Sequence, residues 1–204
     1  MATKPSWLTT NPSTGSGNGT ISNSASAHTG RVARTGIVTV TGVGVSTPAT
    51  YKVTQTPKSE FVQFDNGNEM SAPKEASTIT IEGLSNSSKL SFAWVGDDGN
   101  GVDIPAKYQA NGASISNGEV IDGDPGATAQ YAFAIELEIP KNDTLEEVTR
   151  TLVVTANGGQ AAQIAIVQAV GDARLSVSPA EITIPQDGSA VSVQVSSNTS
   201  WTVS

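Results

Sequence analysis

Nucleophiles, bases and metal ligands are scarce in this chain. Its single histidine, His28, lies in a Ser/Ala/Thr stretch that reads as loop, and there is no cysteine. A nucleophilic system would need His28 beside an activated serine, and no strand-to-helix nucleophile elbow is present to expose one. Gly15-Ser-Gly-Asn-Gly19 and Gly42-Val-Gly44 precede no helix whose N-terminus would hold phosphate. Nineteen acidic residues offer many carboxylate pairs, and nothing selects one at glycosidase separation. The expectation is a non-enzyme with no cofactor.

Two constellations permit binding chemistry. Asp97, Asp98, Asn100 and Asp103 cluster in a Gly-rich turn, as calcium ligands often do. An EF-hand places Asx residues at alternate positions and closes on a Glu, a spacing this turn lacks, so a plain hairpin turn is the competing reading. Asp122-Gly-Asp124 is a similar turn. Trp7, Trp94 and Trp201 either form a sugar-stacking platform or pack internally. Trp94 and Tyr108 are the glycan-contact candidates. Asn18, Asn86, Asn142 and Asn198 each open an Asn-x-Ser/Thr triplet, which reads as a glycosylation acceptor or as chance in a Ser/Thr-rich chain.

The whole-chain properties narrow the partners. A net charge of −8 disfavours nucleic acid, which needs a Lys/Arg surface, and disfavours an anionic membrane face. No run approaches ~20 apolar residues, and Met1-Ala-Thr-Lys-Pro-Ser has no apolar signal core. The expectation is a chain excised from a larger secreted protein, or one that leaves the cell in a virus particle.

The hydrophobic period is two almost throughout. Tyr131-Ala-Phe-Ala-Ile-Glu-Leu-Glu-Ile139 alternates cleanly, as do Ile79/Ile81, Leu90/Phe92/Trp94, Leu175/Val177, Ile182/Ile184 and Val191/Val193/Val195. Each reads as a strand with one buried face. Turns fall at Asp65-Asn-Gly67, Asn157-Gly-Gly159 and Gln186-Asp-Gly188. Only Asp143-Thr-Leu-Glu-Glu147 has the makings of a single helical turn. The fold class expected is all-β: two immunoglobulin-like β-sandwiches, one contiguous and one split or circularly permuted across the termini.

An internal repeat supplies that division. Arg34-Thr-Gly-Ile-Val-Thr-Val40 with Tyr51-Lys-Val-Thr-Gln55 matches Arg150-Thr-Leu-Val-Val-Thr-Ala156 with Ile164-Ala-Ile-Val-Gln168. Thr78-Ile-Thr-Ile-Glu82 leading to Asn86-Ser-Ser-Lys-Leu90 parallels Val191-Ser-Val-Gln-Val195 leading to Asn198-Thr-Ser-Trp201. Residues 1–58 are thus a closing half, 59–171 a contiguous sandwich and 172–204 an opening half. The opening half is expected to pair with residues 6–58, within one chain or between chains. Leu175, Val177, Val191, Val193, Val195, Trp201 and Trp7 are the expected assembly residues.

These residues resemble the BACON domain, an immunoglobulin-like module of Bacteroidetes proteins and their crAss-like bacteriophages. Leu175-Ser-Val-Ser-Pro179, Asp187-Gly188, Ser197-Asn-Thr-Ser-Trp201, Trp7, Arg34 and Gln55 carry the resemblance. It implies a carbohydrate-binding or spacer module. The function expected is a structural or auxiliary protein of a phage particle, capsid-decorating or fibre-associated and located in the virion. Its partners are then other copies of itself, other virion proteins and host glycans. The alternatives are a glycan-binding or mucin-adhesion module of a Bacteroidetes surface protein, extracellular or at the cell surface, and an inert spacer.

Overall fold

A computed structural model describes residues 4–96 and 99–204. Four strands come first: β1 (Leu8–Asn11), β2 (Ser22–Ala25), β3 (Arg34–Val40) and β4 (Ala49–Gln55). Nine build the middle: β5 (Val62–Phe64), β6 (Glu69–Ala72), β7 (Ser77–Ser85), β8 (Leu90–Trp94), β9 (Lys107–Ala110), β10 (Ala113–Ser116), β11 (Tyr131–Ile139), β12 (Val148–Ala156) and β13 (Ala161–Gln168). Two follow: β14 (Leu175–Ser178) and β15 (Gln194–Ser197). The only helical piece among the described residues is a 3-10 turn at Pro125–Ala127. None is a helix long and apolar enough to cross a membrane.

The middle strands form a complete sandwich. One sheet runs β10-β9-β11-β7-β5 and the other β6-β13-β12-β8, with β6 parallel to β13. Alternation on β11 buries all five of its odd-numbered apolar side chains. They meet Ile79 and Ile81 of the paired β7, and Leu90, Phe92, Leu152, Val154, Ile164 and Ile166 from the other sheet. Phe133 stacks edge-on with Phe64 (6.0 Å) and Phe92 (5.7 Å). Gly83, opposite Phe133, leaves room for that ring, because a Cβ there would lie 2.4 Å from it and 2.2 Å from Gln63 O.

The terminal segments are hairpins. β1 pairs only β2, β3 only β4, and β14 only β15. Among the described residues no strand pairing joins residues 6–58 to residues 172–204. In the front hairpins Leu8 and Val38 are buried.

Three expectations are corrected here. Ile182/Ile184 and Val191/Val193 lie outside strands, since β14–β15 spans only 175–178 and 194–197. Their middle-domain equivalents are held by β13 and β11, and a strand without a neighbour has no ladder to fix it. Second, residues 143–147 form no helical turn, with bends at 144–146, because Asn142 Oδ1 accepts from Thr144 N (3.0 Å) and its Nδ2 donates to Glu146 O (2.8 Å). Third, Arg34 aligns structurally with Val148 and not with Arg150. Arg34 is the cross-strand partner of Gln55, as Val148 is of Gln168. A two-residue slip keeps each side chain on its face, which is why the sequence pattern tolerated it.

Candidate assembly interface

The middle sandwich meets its two neighbours through the same set of bonds. At one end Asn86 Oδ1 accepts from Phe61 N (2.9 Å), and Asn86 Nδ2 donates to Thr29 O (3.1 Å) and Ser59 O (3.2 Å). At the other end Asn198 Oδ1 accepts from Arg174 N (2.9 Å), and Nδ2 donates to Asp143 O (3.0 Å) and Asp172 O (2.9 Å). Ser85 and Ser197 hydroxyls donate to Phe61 O and Arg174 O (2.7 and 3.0 Å). Lys58 N donates to Gly30 O (2.9 Å) where Gly171 N donates to Thr144 O (2.7 Å).

His28 belongs to this framework. Its Nε2 bonds Val32 O at 2.7 Å, the place Asn142 Nδ2 takes toward Glu146 O. The lone histidine is therefore a loop brace.

Charge pairs differ between the two ends. Arg31 pairs with Asp124 at the first. At the second Lys74 pairs with Asp172, and Arg174 with Asp143 at 2.7 Å. The Arg174 hydrogen bond holds the Asp143 carboxyl below the usual carboxylate range, and Lys74 does the same for Asp172.

Apolar side chains of the terminal segments are uncovered. Leu175 is 58% exposed where its equivalent Val62 is 9%, and Val193 is 37% where Ile81 is 0%; Trp201 is 51% exposed. Val177 and Val191 are exposed too, and Val195 is half-buried. Trp7 is half-buried under the Arg34 guanidinium, 4.7 Å from its ring centroid. Trp7 and Pro5 occupy the space over Gly36, where a Cβ would lie 3.3 and 2.6 Å from them.

The glycan pair fares differently. Tyr108 is 3% exposed and packs 4.9 Å from Phe92, so it is a core residue and presents no sugar platform. Burial pushes its hydroxyl pKa up. Trp94 is half-buried, its indole N–H donating to Val102 O at 2.7 Å. Of the calcium candidates, Asp97 and Asp98 lie outside the described residues. Asn100 adopts a left-handed turn conformation (φ 47°), and its carbonyl accepts from Arg150 Nη2 at 3.3 Å. Asp103 lines a shallow groove with Lys107, Glu136 and Glu138. No cluster of three or more His, Asp or Glu able to hold a metal occurs among the described residues. Asn86 and Asn142 are buried in the folded protein, which removes them as glycan acceptors.

Sequence reasoning set Asn86 beside Asn198 and read both only as glycosylation triplets, without a structural role. It gave Gln55 and Gln168 no task. Gln168 accepts from the buried Arg150 (3.0 Å) and donates to Pro140 O (2.7 Å) and Pro73 O (3.1 Å). Gln55 accepts from Arg34 (2.8 Å) and donates to Ser26 O (2.9 Å), the equivalent of Pro140. The recurrence of Arg and Gln in both copies was the available signal.

No family model matches the chain, and no curated protein does. Among solved structures it is similar to a Bacteroides ovatus GH5 xyloglucanase in complex with a XXXG heptasaccharide. The similarity covers 53% of this chain and 19% of that one, at 13% identity and a TM-score of 0.31. The chain spans about a fifth of that protein's length, and so slight a likeness says nothing of its activity.

Proposed function

We propose that this is a non-enzymatic structural protein of a bacteriophage particle, a capsid-decorating or fibre-associated subunit that works by β-sandwich assembly. The observation that carries the assembly reading is the exposure of Leu175 and Val193 at positions whose middle-domain equivalents, Val62 and Ile81, are buried. Apolar faces and open strand edges of this kind mark surfaces made for a partner. The resemblance to a module frequent in crAss-like phages supports the virion location. The glycan-binding alternative loses one of its two candidate aromatics with Tyr108 in the core.

Mass spectrometry of density-banded phage particles tests the virion reading. The protein is expected at a copy number commensurate with the capsid or fibre lattice. Its absence from particles that contain their head and tail proteins would end that reading.

A further inference from the structure

We infer that the middle sandwich takes up an extended, Lys- or Arg-bearing peptide segment of a partner protein, along the free edge of β11 at Glu136 and Glu138. This surface lies wholly within the contiguous domain and is independent of the virion location.

β11 lies inside its sheet, and its two edges are unequally used. Along one it pairs with β7 at every residue from Tyr131 to Ile139. Along the other it pairs with β9 only at Phe133 and Ala134. Ala132 O accepts from Asn111 N (2.9 Å), and Ala134 lies opposite Gln109. Alternate residues of an antiparallel strand turn their N–H and C=O to the same side, so Glu136 and Glu138 also turn theirs toward β9. Continuing the register would set Lys107 opposite Glu136, and that pairing is not made. Toward β7, Glu136 and Glu138 face Thr80 and Thr78 as non-hydrogen-bonded pairs. Their N–H and C=O groups therefore bond to no backbone group among the described residues.

β9 leaves because the chain reaches it from the other sheet. Trp94 Nε1 donates to Val102 O (2.7 Å), and Arg150 donates to Gly99 O (3.1 Å) and Asn100 O (3.3 Å). Trp94 and Arg150 belong to β8 and β12, so residues 99–102 are tied to the opposite sheet. Pro105, just before β9, has no N–H to lend a ladder. Between the 101–105 loop, Lys107 and β11 opens a groove of about 540 Å³. That volume falls in the range of ligand clefts, ~300–1,000 Å³.

The chemistry of the groove selects its occupant. Unpaired N–H and C=O groups at strand spacing are a template for strand addition, where main-chain bonds give affinity and alternate side chains give specificity. A strand added here sets its outward side chains beside those of Glu136 and Glu138. Both carboxylates are exposed, and among the described residues neither they nor Asp103 of the loop wall form an ion pair. Lys107 is the one cation lining the groove. Lys or Arg at alternate positions is thus what this edge favours. A sugar would stack on an exposed aromatic, and the aromatic at the groove, Tyr108, is 3% exposed.

Peptide titration, read by amide chemical shift and hydrogen exchange, tests the assignment. The probes are peptides of about six residues alternating Lys with Val, and the same peptides with Glu in place of Lys. The basic probe is expected to shift the Glu136 and Glu138 amides and slow their exchange about tenfold, with the acidic probe inert. Glu136→Lys with Glu138→Lys should weaken the basic probe about tenfold and admit the acidic one. If that variant melts early, Glu136→Gln with Glu138→Gln carries the same test without reversing charge. A basic probe without effect at these amides overturns the inference, as does an effect confined to the outer edges of β10 or β5. A charge variant that binds the basic probe unchanged does the same. An oligosaccharide that protects these amides where neither peptide does would assign the groove to glycan. Protection that rises with protein concentration alone would assign it to a second copy. Either result overturns the peptide assignment, and each leaves the particle mass spectrometry to decide the virion reading separately.

Discussion

Asn198 makes at one end of the middle sandwich the bonds that Asn86 makes at the other, down to the acceptors two residues before the amide each one binds. Asn86 is fully buried and Asn198 is not. The first junction is closed by the loop around Pro125–Ala127, with Arg31 N and Val32 N donating to Gly126 O and Ala127 O at 3.0 Å.

Asn86→Ala should therefore lower stability by about 2–4 kcal/mol, since buried amide and carbonyl groups lose their partners. Asn198→Ala should cost under about 1 kcal/mol in dilute chain, where water can replace the side chain. Urea denaturation of both variants, at concentrations where the chain is monomeric, checks the contrast.

Gly83→Val places in the middle domain the residue found at position 195. Its Cβ would sit 2.2 Å from Gln63 O, a backbone atom that cannot yield without moving β5. A loss of about 3 kcal/mol or more is expected by thermal denaturation. Val195→Gly, outside the middle core, should leave that melting transition in place.

Tyr108→Ala should behave as a core truncation, costing about 3–5 kcal/mol. Glycan-array signal, if any is present, should not respond to this substitution while the protein stays folded.

The second junction should loosen in acid. Asp143 and Asp172 have folded-state pKa values below their unfolded ones, through Arg174 and Lys74 respectively. Their stabilising contribution is complete above the unfolded value of about 3.9, and fades as pH falls through the lower folded values. Both carboxylates are exposed, so the effect is modest and shrinks with salt. The amide shifts of Arg174 and Asn198, followed from about pH 6 to about pH 2, should titrate in that window, with the Phe61 amide unmoved.

Removing residues 172–204 should leave the middle sandwich folded, because its core draws on residues 62–166 alone. A truncated chain that is monomeric where the full chain associates is the expected outcome in light scattering. Association that survives the truncation would point to a different surface.

Alternation of apolar residues was enough to fix the all-β class and the inward face of β11. Side-chain direction in a strand depends only on parity, and parity is written in the sequence. The same logic could not separate registers two residues apart, so Arg34 was matched to Arg150 when the ladder matches it to Val148. Nor could it tell that Ile182, Ile184, Val191 and Val193 stand outside strands, since a strand exists only where a neighbour supplies hydrogen bonds. Tyr108 looked presentable because a lone aromatic in a loop-rich region carries no sign of its depth. Tertiary structure alone gave Asn86 and His28 their tasks, because their partners lie on backbone carbonyls that any residue type provides. It also set the two junctions at opposite ends of the middle sandwich, a consequence of antiparallel pairing between β7 and β11 over their full length.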